Sequence, residues 1–273
     1  MNNLKIPQNK NIKLIENLFN SLGLNDLVKM SKEGPNLSSH LKSSTPFKPD
    51  LVDLFRLYQY ISLNKRTTIL EFGSGWSSLV FVAALNEQKK KYLVSAKKLR
   101  RNNLFELFIL ENEKKYLNIT KKNIQKFIKK NNIKDIKVNY VLSKVKMINY
   151  NGQFATEYET LPNCNPDFIY LDGPGQFNIQ GKINNFTISH NDMMPMSCDL
   201  LKLEYFLIPG TILIVDGRGA NSNYLKHEFQ RKWAYKNDKL NDQNIFYLND
   251  QSFGKINNSL LNYYSKNKKL KLK

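Results

Sequence analysis

The chain has 273 residues, is 41 % hydrophobic and 12 % aromatic, and carries a formal charge of +19 from 42 basic and 23 acidic residues. That length and apolar content suffice for one large domain, or a domain with a small appendage, and exclude extensive disorder. Two cysteines, Cys164 and Cys198, are too few for a disulfide framework and lack the spacing of a zinc site, so free thiols and a reducing cytoplasm are expected.

The first residues, MNNLKIPQNKNIKLIEN, are too polar for the apolar centre of a signal peptide, and no run approaches the roughly 18 apolar residues of a membrane span. A soluble protein is expected. The positive charge invites a nucleic-acid partner, because a basic surface gains affinity by releasing counterions from phosphates. Only six of the basic residues are arginine (Arg56, Arg66, Arg100, Arg101, Arg218 and Arg231), and bidentate phosphate or guanine recognition prefers arginine. Nucleic-acid binding is therefore expected to be weak and non-specific. The lysine clusters at 87–101 and 266–273 are the segments that could touch an anionic surface.

In chain order, residues 10–31 place Ile12, Leu14, Ile15, Leu18, Phe19 and Leu22 at helical spacing, with a break at Gly23. A loop spans 40–49, and Pro49 opens a second helix whose apolar face is Leu51, Leu54, Phe55, Tyr58 and Ile61. These elements predict a helical cap over 1–49 in front of a main domain over 50–250. Strands are expected at 67–72, 104–111, 136–143, 167–172 and 210–216, with helices at 76–86, 112–132 and 195–207 between them. Continuous apolar strands alternating with helices mean an α/β fold with a parallel sheet covered on both faces. Two short strands at 231–237 and 243–249 are close enough to pair antiparallel, and 251–273 reads as a basic tail.

In such a sheet the ligand lies beyond the carboxyl ends of the strands, where the strand order reverses. Glu71-Phe72-Gly73, Glu111, Asp172-Gly173-Pro174 and Asp216-Gly217-Arg218 all fall at strand ends. Carboxylates are costly to bury, so four at one rim point to a shared polar cleft. Gly73 and Gly75 are read as positions that take positive φ and let the backbone approach a ligand.

These residues resemble the class I S-adenosylmethionine-dependent methyltransferases. The family's first motif is an apolar strand, an acid and Gly-x-Gly-x-Gly; here it reads Glu71-Phe72-Gly73-Ser74-Gly75-Trp76-Ser77, with Ser77 in place of the third glycine. Glu111 matches the acid that accepts the ribose hydroxyls, with Glu113 as a rival. The spacing is long because the basic segment 87–103 reads as an insertion. Ser143 falls where the family contacts the adenine. PDFIYLDGP, 166–174, is similar to the fourth motif, facing methyl donor and substrate, and FLIPGTILIVDG, 206–217, to the turn into the fifth strand. The resemblance implies a doubly wound, Rossmann-like, mostly parallel seven-stranded sheet with an antiparallel C-terminal hairpin. It implies cofactor contacts at Glu71, Gly73, Ser74, Gly75, Ser77, Ser78, Glu111, Ser143 and Asp172.

Methyl transfer from a sulfonium is an in-line displacement, so the protein positions two reactants and removes a proton from the acceptor. Asp172, His190 and Asp192 are candidate proton acceptors, and Asp216 joins Asp172 and His190 as a candidate catalytic group. Asp172 and Asp216 also resemble the acids that hold a divalent cation in metal-dependent O-methyltransferases, although Gly217 stands where those enzymes place a further ligand. The amide- and hydroxyl-rich loop 175–194 suits a small hydroxylated acceptor, and a sugar or glycan precursor is the expected class. The alternatives are a nucleic-acid methyltransferase and a non-catalytic nucleotide-binding module. A nicotinamide-dependent oxidoreductase would require glycine or alanine at Ser78 and an acid about 20 residues on, and neither is present.

Overall fold

The structure, a computed structural model, describes residues 4–33 and 48–265. The expected loop over 40–47 and the last basic cluster at 266–273 lie outside the described residues. The helices are α1 (Ile12–Ser21), α2 (Asn25–Glu33), α3 (Leu51–Leu63), α4 (Trp76–Ala96), α5 (Lys114–Lys130), α6 (Asp199–Leu203), α7 (Gly219–Glu228) and α8 (Lys255–Ser265). The strands are β1 (Thr68–Phe72), β2 (Glu106–Glu111), β3 (Lys137–Leu142), β4 (Val145–Tyr150), β5 (Gln153–Tyr158), β6 (Phe168–Leu171), β7 (Ile179–Gln180), β8 (Ile212–Asp216), β9 (Trp233–Asp238) and β10 (Gln243–Leu248).

Seven strands form one sheet in the order β3-β2-β1-β6-β8-β10-β9. The first five are parallel, and β10 runs antiparallel to both β8 and β9. This is the expected α/β, Rossmann-like architecture. β1 and β6 are buried along their whole length because alternate side chains enter two separate cores. Ile69, Ile109, Phe168 and Ile214 meet Phe19 of α1, Ile61 of α3, Phe81 of α4 and Ile124 of α5 on one face. Leu70, Leu110, Ile169 and Val215 pack on the other face against Val145, Ala155, Leu200 and Leu225.

That second face departs from the expected helical cover. A three-stranded sheet, β5-β4-β7, sits there with the short helices α6 and α7. Its hairpin turns at Asn151 and Gly152, which take φ of 51° and 81°, the left-handed pair that a two-residue turn between strands needs. The helix expected over 195–207 shrinks to α6 and a 3-10 turn. Residues 196–198 instead run alongside β5: the Thr156 N–H donates to the Met196 carbonyl, and the Cys198 N–H donates to the Thr156 carbonyl.

Two further expectations are corrected. The basic segment 87–103 is not an insertion after the helix; most of it continues α4 to Ala96, with no glycine or proline to stop it and with Gln88 and Ala96 buried. Residues 255–265, read as part of a basic tail, form α8 and bury Leu260, Tyr263 and Tyr264. Tyr264 stacks on the Arg66 guanidinium at 3.9 Å and donates its hydroxyl to Asp167, which anchors the helix beneath the sheet.

Candidate functional site

β1 ends at Phe72 and α4 starts at Trp76, so residues 73–75 make the whole turn. Gly73 takes φ +100°, and its backbone lies against the loop after β6: a Cβ on Gly173 would stand 2.6 Å from the Gly73 nitrogen. Only two residues without side chains let these loops meet. They meet between β1 and β6, where the strand order reverses and where α/β sheets open a crevice for ligands. Gly75 differs from expectation. Its φ of 172° is extended backbone rather than positive, and a Cβ there would have nothing within 4 Å.

Glu71 does not face the crevice. It is 1 % exposed, and the hydroxyls of Ser77 and Ser78 donate to its two carboxyl oxygens at 2.5 and 2.6 Å. Ser78 Oγ also accepts the Gly75 N–H at 3.2 Å. Burial pushes the Glu71 carboxyl up to about 8, outweighing the two hydroxyls that favour its ionised form. Glu71 and Ser78 thus form a buried clip beneath the turn. Of the turn residues, Gly73, Ser74, Gly75 and Ser77 reach the cavity wall.

Above them lies a cavity of about 480 Å³. One wall is Glu111, which is 5 % exposed and held by three donors: the N–H groups of Asn112 and Glu113 to Oε1, and Ser74 Oγ to Oε2 at 2.7 Å. Burial raises its carboxyl above the usual glutamate range. Glu113 and Tyr116 continue this side. The opposite wall is Asp172, Tyr170, Asp216 and Arg218, and the start of α3 closes the front with its cap Asp50 and with Asp53 and Leu54.

Asp216 accepts the Tyr170 hydroxyl at 2.5 Å, and burial together with the facing Asp172 pushes its carboxyl up to about 7. Burial beside Asp50 likewise lifts Asp53 to about 6. Arg218 donates to the carbonyls of Asp172 and Pro174, and its Nε lies 3.5 Å from Asp172 Oδ1, so one guanidinium fixes the loop after β6 to the end of β8. Six carboxylates (Asp50, Asp53, Glu111, Glu113, Asp172 and Asp216) therefore face two cations, Lys48 and Arg218. The lining is thus acidic in a chain whose net charge is +19.

The structure does not bring every expected residue here. Ser143 closes β3 but turns inward, accepting the Thr160 N–H at 2.8 Å, and borders a separate adjoining hollow. His190 and Asp192 stand outside the cavity with side chains 60 % and 88 % exposed; His190 Nδ1 accepts the Asp192 N–H, and the His190 carbonyl accepts the Gln176 amide. Their loop turns outward through the paired Ile183 and Phe186, with Asn184 and Asn185 in the left-handed region. Conversely, Asp53, Tyr116 and Tyr170 were not legible as site residues. Asp53 reads as an ordinary first-turn acid of a helix and Tyr170 as a core strand residue, whereas Arg218 was visible beside Asp216.

The acids do not fit a divalent cation well. Among the described residues no group of three or more His, Cys, Asp and Glu side chains converges on one point, and the Asp172 carboxylate faces the Arg218 guanidinium. No protein-family model matches the chain, and no curated protein is significantly similar to it in sequence.

Proposed function

We propose that this protein is an S-adenosylmethionine-dependent methyltransferase that acts on a small hydroxylated acceptor by O-methyl transfer. The observation that carries the reading is the acidic cavity at the strand-order reversal, bounded by the glycine turn and by Glu111 at the end of β2. A cluster of carboxylates in a basic protein suits a cationic ligand, and a sulfonium is one. The glycine turn suits close approach of an extended ligand, because Gly75 leaves open space where a side chain would stand.

The residues fit the cofactor in a specific way. A carboxylate has about four accepting positions, and three donors already hold Glu111. Glu111 thus offers one position to a ribose hydroxyl, and Glu113 on the same wall is available to the second.

When bound, the cofactor supplies an electrophilic methyl group. The chain's part is to orient the acceptor and take its proton. Asp216 carries the proton-accepting role, since a carboxyl poised near 7 is ionised in about half the molecules at neutral pH and can accept a proton from a hydroxyl. Tyr170 donates to the same carboxylate and stabilises the ionised form, while Arg218 holds Asp172 at the rim. The acidic wall opposes a phosphate-backbone acceptor, which ranks the nucleic-acid methyltransferase reading lower.

Calorimetric titration with S-adenosylmethionine and its demethylated product tests the assignment. Wild type binds both, and Glu111→Ala loses about 1.5–3 kcal/mol, as for removal of a charge-assisted hydrogen bond. Absence of binding by wild type overturns the reading, and unchanged affinity in Glu111→Ala moves the ribose contact elsewhere.

A further inference from the structure

A second cavity, of about 290 Å³, opens at the other end of the sheet. Residues 99–103 lead into β2, Asn165 precedes β6 and Ile208 precedes β8, so it lies at the amino ends of the parallel strands, away from the acidic crevice. α8 closes it with Ile256, Asn257 and Leu260. Its volume is near the lower bound of pockets that hold small organic ligands, roughly 300–1,000 Å³.

The chemistry of this wall is the opposite of the first. It contains Arg100 and Arg101, four asparagines and four aliphatic side chains, and no carboxylate. Arg101 is committed to the fold: its Nη2 donates to Thr68 Oγ1 at 2.9 Å and to the Asn165 carbonyl at 2.6 Å. That brace holds the loop across the mouth of β1. Arg100, by contrast, is exposed and makes no hydrogen bond or ion pair among the described residues, and neither does the Asn102 side chain.

Two carboxamides are half-used. Asn103 Nδ2 donates to Glu106 and Asn165 Nδ2 donates to the Phe206 carbonyl, while the Oδ1 atoms of both have no partner among the described residues. The pocket thus combines a free guanidinium, a free carboxamide, two carboxamide acceptors and an apolar floor of Leu99, Ile208, Ile256 and Leu260. Two exposed residues tie into its wall through their backbones: the Phe206 carbonyl accepts from Asn165, and the Phe253 N–H donates to Asn257.

We infer that this basal pocket binds a nucleotide unit, either a free mononucleotide or one nucleotide of a single strand. Guanidinium groups take phosphate oxygens through charge-assisted hydrogen bonds. Carboxamides pair with base edges, and an apolar or aromatic surface receives the base face. A simple inorganic anion would use the arginine and leave the apolar floor and the carboxamide acceptors without function; a sugar would leave the arginine unpaired. The inference is independent of the methyltransferase reading, since the two cavities share no residue.

The test is titration of the full chain with AMP, CMP, GMP and UMP, with inorganic phosphate alone, and with a labelled short oligouridylate followed by fluorescence anisotropy. Arg100→Glu is exposed enough to fold, which a thermal melt checks, and it should weaken binding roughly tenfold or more by opposing the phosphate. The binding that Arg100→Glu removes should persist in Glu111→Ala, whose change lies in the distant acidic cavity, and this separates the pocket from nucleotide binding at the cofactor site. Mononucleotide binding with that pattern identifies a free ligand, and binding of the oligomer alone with the same pattern identifies a strand. The inference is overturned if phosphate binds as tightly as every nucleotide, if Arg100→Glu has no effect, or if binding is lost in Glu111→Ala instead.

Discussion

Tyr170 donates its hydroxyl to Asp216 Oδ2 at 2.5 Å, across the neighbouring parallel strands β6 and β8. The bond favours the ionised carboxylate, whereas burial and the facing Asp172 raise the carboxyl to about 7. If Asp216 accepts the acceptor's proton, turnover rises with pH through about 7. Tyr170→Phe removes the stabilising donor, so that limb shifts to higher pH and the rate at neutral pH falls. Asp216→Asn lowers turnover by about 10²–10⁴-fold and abolishes the limb. pH–rate profiles of cofactor consumption, run against a panel of sugars, nucleotide sugars and catechols, read both effects; an unmoved limb in Tyr170→Phe denies the coupling.

Stability should depend on pH through Glu71. Its carboxyl is raised from the usual 4.5 to about 8 in the folded chain, so the native state keeps a proton that the unfolded chain releases at lower pH. A raised folded-state value means stability fully present below the unfolded value and lost as pH rises toward 8. Glu71→Gln stays neutral and removes this contribution. Asp53, Asp199 and Asp216 are raised as well and add slopes of the same sign, so the comparison between variants isolates Glu71. Thermal melts should show a smaller fall between acid and mildly alkaline pH in Glu71→Gln than in wild type, and parallel curves would contradict the buried clip.

Gly173 and Gly75 should respond differently to the same added methyl group. A Cβ on Gly173 would lie 2.6 Å from the Gly73 nitrogen, a contact with backbone that no side-chain rotation relieves. Gly173→Ala should cost about 1–3 kcal/mol, as overpacking does. Gly75→Ala meets nothing within 4 Å on extended backbone, so the fold should hold while cofactor affinity falls because the methyl stands in the cavity. Denaturant titration paired with cofactor binding distinguishes the two; equal stability losses would contradict the close approach of the loops.

His190 and Asp172 make a second contrasting pair. His190 is exposed outside the cavity, so His190→Ala should leave cofactor turnover unchanged. Asp172 lines the cavity and faces Arg218 at 3.5 Å, so Asp172→Asn should lower turnover while preserving the melting temperature within a few degrees. A fall in turnover on losing the histidine would mean that its loop closes over the crevice during reaction.

Local patterning determined much of this protein. The apolar runs ending in Glu71, Glu111 and Asp216, and the glycine turn after β1, could be read along the chain because strand burial and turn chemistry are set by neighbours in sequence. The Asn151-Gly152 turn was equally local, and it marks the small sheet that the helical expectation for the second face passed over. What only the tertiary structure decided is which acids face one another. Glu71 and Glu111 both end buried parallel strands, yet the serines of α4 draw Glu71 under the turn while Ser74 and two backbone N–H groups hold Glu111 on the wall. Asp53 joins them from α3, and His190 leaves them on an outward loop. The serines that hold Glu71 lie only six and seven residues on, but the Ser74 contact to Glu111 and the arrival of Asp53 at the same wall join segments far apart in the chain, which neither residue type nor spacing encodes.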